Sequence, residues 1–273
     1  MFKLNNGVEL TTMQFPAGET FVKIADGDKV TQVIWYYEGD HELVQLGLIL
    51  DLCDNVKEVI IPYFPHARQD RYTSSNQPLS LRVFIDMLLC IDRNKDIFWK
   101  VVDPHSCVVE FLFDNRGNGI DIVHQWSFAD TIKNLGKYDA VIAPDKGAVD
   151  KAAEWAKVLG TPLITADKVR NPDTGYISSY ELNACQEEVY GKNVLVPDDI
   201  IDGGRSIIML SDRLKDMGCK NIDVFATHGI FSKGLDVFAN VNHIFTTNSL
   251  LHYKKYLCDK LTILDCIEKN KII

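Results

Sequence analysis

Several familiar signatures are missing from this 273-residue chain. It has no G-x-x-x-x-G-K-[ST] loop, no G-x-G-x-x-G turn and no G-x-S-x-G elbow, so three common ways of building a phosphate, dinucleotide or ester site are excluded. No apolar run approaches the length of a bilayer span, and the start, Met1-Phe2-Lys3-Leu4-Asn5-Asn6, has no apolar core of a signal peptide. Positive charge is short: 29 Lys and Arg face 38 Asp and Glu, a formal net charge of -9, which argues against a general nucleic-acid binder. The seven cysteines are odd in number and unpaired in spacing, and Cys53, Cys90, Cys219 and Cys266 sit among apolar neighbours. Reduced thiols in a cytoplasm fit this usage better than a disulfide framework or a zinc site, and a cytoplasmic location is expected. Low-complexity segments and short-period repeats are absent as well.

What is present is alternation. Apolar, β-rich runs are expected as strands at Thr31–Trp35, Glu58–Tyr63, Ile97–Val102, Asp121–Val123, Ala140–Ala143, Pro162–Thr165, Asn193–Val196, Ile222–Thr227, His243–Thr247 and Leu261–Leu264. Amphipathic stretches at Asp40–Cys53, Leu79–Ile91, Phe128–Leu135, Val149–Leu159 and Gly204–Met217 are expected as helices between them. Such alternation predicts an α/β fold with parallel sheets covered on both faces. Ligands of open α/β sheets sit beyond the carboxyl ends of the strands, so the residues following each strand carry the most information.

Those residues are rich in chemistry: Pro62-Tyr63-Phe64-Pro65-His66-Ala67-Arg68-Gln69-Asp70-Arg71, Asp103-Pro104-His105-Ser106, Ala143-Pro144-Asp145-Lys146-Gly147-Ala148, Lys168-Val169-Arg170, Thr227-His228-Gly229-Ile230-Phe231-Ser232, and the longest, Pro197-Asp198-Asp199-Ile200-Ile201-Asp202-Gly203-Gly204-Arg205-Ser206. The last reads as a buried strand, a turn and a helix start, whose free N–H groups and dipole favour an anion. Its carboxylates suit a ligand that also carries hydroxyls or magnesium, as a sugar phosphate does. Each cluster also has a plain structural reading. Asp202 and Asp145 are natural helix caps, Arg68 and Asp70 an ordinary surface ion pair, and His105 a loop histidine. Lys168 and Arg170 would be solvated loop charges before the turn Asn171-Pro172-Asp173-Thr174-Gly175.

Taken in order, the clusters resemble the ribose-phosphate diphosphokinases, the phosphoribosyl pyrophosphate synthetases. Phe64 to Asp70 is similar to that family's F-P-Y-A-R-Q-D nucleotide loop, and Phe15 to Glu19 to its F-x-x-x-E turn. Asp103 to Ser106 resembles D-L-H-A, Pro144 to Gly147 P-D-x-G, and Lys168 to Arg170 the K-x-R opening of the catalytic loop. Thr227 to Ser232 matches T-H-G-[IL]-F-S, Thr247-Asn248-Ser249 resembles T-N-[ST], and Asp198 to Ser206 lies close to D-D-x-x-D-T-x-G-T. The resemblance implies two phosphoribosyltransferase-like α/β domains, here 1–125 and 126–273, and transfer of the β,γ-diphosphoryl group of ATP to C1 of ribose 5-phosphate. It implies Lys168 and Arg170 as catalytic, and Phe15, Glu19, Arg68, Gln69, Asp70 and His105 at the nucleotide. Asp145, Asp198, Asp199, Asp202, Gly203, Gly204, Arg205 and Ser206 would hold the ribose phosphate. Magnesium would sit on His105 and Asp145, and a homo-oligomer is expected.

Three features depart from the family pattern. Only residues 1–14 precede the Phe15 turn, where the family usually has an additional strand and helix, and the chain ends soon after its last strand. In the phosphate loop, Asp202-Gly203-Gly204-Arg205-Ser206 replaces a hydroxyl with Gly203 and adds a guanidinium at Arg205. Two readings stay open. Either Ser206 alone serves a phosphate monoester and Arg205 is solvated, or less bulk and a bidentate donor serve a 5′-substituted ribose such as ADP-ribose. A non-catalytic relative would be expected to lose the catalytic cations or the magnesium ligands, and Lys168, Arg170, His105 and Asp145 are all kept.

Overall fold

The structure, a computed structural model, describes residues 1–92, 96–170, 177–269 and 271–273. The chain divides into two compact units, Met1–Val123 and His124–Ile273.

In the first unit the strands are β1 (Phe2–Leu4), β2 (Leu10–Gln14), β3 (Thr20–Ile24), β4 (Gln32–Trp35), β5 (Glu58–Ile61), β6 (Phe98–Val102) and β7 (Ile120–Val123). They are joined by helices α1 (Glu42–Leu52), α2 (Ser80–Cys90) and α3 (Val108–Asp114). One sheet has the order β1-β4-β5-β6-β7; β4 to β7 run parallel and β1 lies antiparallel on β4. Its core joins Val33, Trp35, Val59, Ile61, Trp99 and Val101 to Leu46, Ile49, Phe84, Ile85 and Phe113 of the helices. Strands β2 and β3 form a separate antiparallel hairpin.

The second unit contains β8 (Ala140–Ala143), β9 (Leu163–Arg170), β10 (Ile177–Leu182), β11 (Asn193–Ile201), β12 (Asn221–Gly229), β13 (His243–Thr247) and β14 (Leu261–Leu264). Its helices are α4 (Ala129–Leu135), α5 (Val149–Leu159), α6 (Gln186–Val189) and α7 (Arg205–Asp216). The sheet order is β10-β9-β8-β11-β12-β13-β14, parallel except for β10. Both faces are covered. Val194, Val196, Ile222 and Val224 pack with Leu210 and Leu214 of α7, while Leu195, Phe225, Val141 and Ala143 pack with Trp155 of α5 and Phe128. Alternate residues of one strand therefore enter different cores, which is why the strands read as continuous apolar runs.

The expected elements are present and the fold is α/β with parallel-dominated sheets, but several boundaries differ. Strand β11 continues past Val196 to Ile201, so Asp198 and Asp199 lie within a strand, paired in register with β12. Lys168 and Arg170 likewise belong to a strand, because β9 runs on beyond Thr165, where its pairing with β8 ends, and is held there by β10. The hairpin β2–β3 was hidden by its mostly exposed residues, and β10 by the polar Ser178-Ser179 and Glu181 within it; α3 was not expected. Cys90, expected in apolar surroundings, is exposed at the end of α2; Cys53, Cys219 and Cys266 are buried. The turn at 171–175 lies outside the described residues.

Candidate active site

The sheet of the second unit reverses its winding between β8 and β11: the chain moves outward from β8 through β9 to β10, then returns to β11 on the other side. Such a switch point opens a crevice at the carboxyl ends of the strands. Asp145 follows β8 there, and Asp198 and Asp199 come from β11.

Asp145 does what a cap does. One carboxylate oxygen accepts the N–H groups of Gly147 (2.9 Å) and Ala148 (3.1 Å) at the turn leading into α5. The other oxygen pairs with the Lys168 ammonium, which reaches it from β9. Burial disfavours the charge on Lys168, but the Asp145 carboxylate outweighs it and holds the ammonium's pKa above its usual value. Asp199 is approached by Lys151 of α5 at 3.5 Å, and its backbone N–H donates to the Asp198 carboxylate at 2.9 Å. Asp198 is pushed well above the usual carboxylate range, first by burial, then by the adjacent charges of Asp199 and Asp145. Three carboxylates and the Lys168 ammonium thus converge on the crevice, with Lys151 behind them. Arg170 ends β9, and its side chain lies outside the described residues.

The phosphate-type loop closes the same crevice. The cap of α7 is Gly204, not Asp202, and glycine has no side chain to offer the first-turn N–H groups. Gly204 is held at φ +71°, and a Cβ on it would stand 2.3 Å from the Phe238 ring, so both conformation and space demand glycine. Gly203 is not so constrained: a Cβ there would meet the Lys233 stem at 3.5 Å and Ser232 Oγ at 3.9 Å. Asp202 and Ser206 are half-buried and Arg205 is exposed. The Thr227–Ser232 and Thr247–Ser249 motifs meet. Buried His228 pairs through Nδ1 with Ser249 Oγ (2.8 Å), and the Ser249 and Thr247 hydroxyls both donate to the Thr227 carbonyl, at 3.0 and 2.7 Å. They lock strand ends together beside the loop.

In the first unit the 62–71 loop is anchored by its apolar residues. Phe64 is buried edge-on against Phe84 and Phe113, with ring centroids 5.7 and 6.0 Å away. His66 packs on Phe84 and bonds Asp40 Oδ1 through Nε2 at 2.9 Å. With those side chains turned inward, Arg68 and Gln69 are exposed, lining a cavity of about 410 Å³ with Arg71 and Thr73. Asp70 ties this loop to the next one. Burial raises its pKa, but hydrogen bonds from Ser106 and Arg71 and the Arg71 charge more than offset this, and the carboxyl stays below its usual value. Ser106 neighbours His105, which is exposed. Phe15 and Glu19 occupy the exposed tip of the β2–β3 hairpin, where Phe15 N–H donates to the Glu19 carbonyl at 2.8 Å.

Sequence reasoning missed Lys151, Lys233 and Tyr180. Lys151 lies in the first turn of α5, six residues after the Asp145 cap, and reaches Asp199 from there. Tyr180 stands directly opposite Lys168 in the β9–β10 register, a relation no local pattern reveals. Among the described residues no three His, Cys, Asp or Glu side chains form a group able to hold a metal unaided. A hard cation there would need oxygens from a ligand, as magnesium commonly takes from phosphates.

The phosphoribosyl transferase domain family matches residues 119–246. The chain is 30% identical to the ribose-phosphate pyrophosphokinase of Pyrococcus abyssi, over 97% of this chain and 90% of that one. It is 31% identical to the enzyme of the same name from Thermococcus kodakarensis, over 89% and 86%. The phosphoribosylpyrophosphate synthetase of Mycobacterium smegmatis has the same fold, with a TM-score of 0.76, 24% identity and coverage of 94% of this chain and 86% of that one. The crevice at the β8–β11 switch point, the anchored 62–71 loop and these relatives agree: the chain belongs to the ribose-phosphate pyrophosphokinase family of transferases.

Proposed function

We propose that the protein transfers the β,γ-diphosphoryl group of ATP to the C1 hydroxyl of ribose 5-phosphate, giving phosphoribosyl pyrophosphate and AMP. The observation that carries this reading is the pairing of Lys168 with Asp145 at the same crevice as Asp198, Asp199 and the α7 N-terminus. The sugar oxygen forms a bond to Pβ, the Pα–O–Pβ bridge breaks with its oxygen leaving on AMP, and the hydroxyl proton passes to solvent. Such a transfer needs alignment and neutralisation of phosphoryl charge more than covalent help.

Lys168 and Arg170 neutralise the migrating group. Asp198 and Asp199 accept hydrogen bonds from the ribose hydroxyls, and the α7 N–H groups with Ser206 take the 5-phosphate. Asp202 closes the turn between them. Arg68, Gln69 and Asp70 hold the nucleotide, with Phe15 and Glu19 at the base. Magnesium bound with ATP would supply charge neutralisation across the phosphates, and Asp145 and His105 are the side chains that would hold it. For Asp145 this requires Lys168 to leave for the phosphate, which frees one carboxylate oxygen. The test is AMP release from ATP and magnesium on adding ribose 5-phosphate; absence of AMP with this sugar and with ADP-ribose defeats the reading.

A second acceptor is favoured by one observation. Gly203 puts no side chain against the stem of exposed Lys233, which a Cβ there would only touch at 3.5 Å, and exposed Arg205 lies two residues on. Two cations around an uncrowded loop suit a 5′-diphosphate ester as well as a monoester. Under this reading Arg205→Thr lowers kcat/KM for ADP-ribose roughly tenfold and spares ribose 5-phosphate; an unchanged preference leaves Arg205 as surface.

A further inference from the structure

Tyr180 is 3% exposed, and its hydroxyl, shielded from water, has no hydrogen-bond partner among the described residues. A buried hydroxyl without a partner opposes folding, and phenylalanine would fill the same place without that cost. The hydroxyl is therefore a feature the empty fold does not use.

Its surroundings say what does use it. In the antiparallel register of β9 and β10, Tyr180 lies directly across from Lys168 and Leu182 across from Ala166. Directly opposed residues share a face, and Tyr180 and Ala166 both enter the core that α7 covers. The ring thus stands under the Lys168 side chain and against the first turn of α7. The polar groups nearest the hydroxyl are those of the crevice: Ser206 lies close enough to favour the phenol's ionised form without completing a well-formed hydrogen bond, and Lys168, Asp145 and Asp198 act through their charges. Burial keeps the phenol protonated, hence a donor. Ser206, in the first turn of α7, is the side chain that faces an anion at that helix start.

We propose that Tyr180 is a positioning residue that joins the two halves of the site: with a sugar phosphate bound, its hydroxyl donates to Ser206 Oγ and turns the Ser206 proton toward a phosphate oxygen. Each hydroxyl then donates once, Tyr180 to Ser206 and Ser206 to the phosphate. The same ring lies beneath Lys168, so occupation of the phosphate loop is felt at the strand carrying the catalytic ammonium. The inference rests on the sugar-phosphate reading above and adds to it a residue outside every motif.

The test is Tyr180→Phe in the whole protein, alongside Ser206→Ala and the double variant, with ribose 5-phosphate affinity measured by calorimetry without ATP. Tyr180→Phe is expected to weaken binding roughly five- to tenfold, with KM for ATP unchanged. The double variant should bind no more weakly than Ser206→Ala alone, since the tyrosine acts through that serine. The empty Tyr180→Phe protein should melt no lower than wild type. Unaltered affinity in Tyr180→Phe, or losses that add in the double variant, overturns the proposal while AMP release by wild type keeps the diphosphokinase reading standing. Wild type that neither binds the sugar phosphate nor releases AMP overturns both.

Discussion

Lys168 and Asp198 show how single residues in the crevice are tuned by one another. In the proposed transfer, Lys168→Ala removes the charge that would meet the migrating group, a contact whose loss typically costs about 3 kcal/mol or more of transition-state stabilisation. AMP release should fall by 10²-fold or more while equilibrium ATP binding persists; retention of full rate would take β9 out of the mechanism. Asp198 has a folded pKa raised above its unfolded value. The folded state therefore binds its proton more readily, and stability falls as pH rises from the ordinary carboxylate range toward the raised value. Asp198→Asn should raise the melting temperature of the empty protein at neutral pH, by roughly 2–4 °C per kcal/mol recovered. The gain should vanish near pH 4, where both forms are neutral. The same variant should lose roughly tenfold or more in kcat/KM for the sugar, because a charged acceptor of hydroxyl groups is gone. A lower neutral-pH melting temperature would contradict the assigned burial. Asp198 and Asp199 were legible in the sequence as chemistry; the tuning of Asp198 was not, since it comes from burial and from the charges of Asp199 and of Asp145 on another element.

At the scale of elements, the start of α7 depends on one glycine. Gly204→Ala imposes a left-handed conformation on alanine and drives its Cβ into Phe238, so about 2–5 kcal/mol of stability should be lost. The urea midpoint measures this, and a loss below about 1 kcal/mol would mean the loop relaxes. The parallel core strands were readable because both faces are buried and their residues form unbroken apolar runs. The ends were not. Polarity at Asp198 and Lys168 suggested that β11 and β9 had stopped, whereas pairing with β12 and β10 carries them on. Asp202, two residues before the actual cap, illustrates the same limit: cap-forming residue types are visible in sequence, but a glycine in left-handed conformation displaces them.

Across the whole molecule, the proposed reaction would bring two phosphorylated substrates to a chain of net charge -9. Under that reading local cations and magnesium have to reverse the field. Chelation by EDTA should abolish AMP release and added magnesium restore it. Magnesium alone should raise the melting temperature less than magnesium with ATP, because the described residues hold no self-sufficient metal cage. A large shift with magnesium alone would reveal a protein-only site. The ordered motifs made the family legible, because all but the Phe15–Glu19 hairpin tip sit toward the end of a strand of one of the two large sheets. Beyond Thr165 the sheet no longer flanks β9 on both sides, and Lys168 rides on a two-strand arm formed with β10. Such an arm has little stability of its own; Ala166 and Tyr180 anchor it in the core under α7, and Lys168 ties it to Asp145. With Asp145 as its partner, the Lys168 ammonium of the empty protein is already paired. Amide exchange along Ala166 to Lys168 should then slow when the sugar phosphate and nucleotide arrive together, for the arm is being passed from one anion to another rather than released into water.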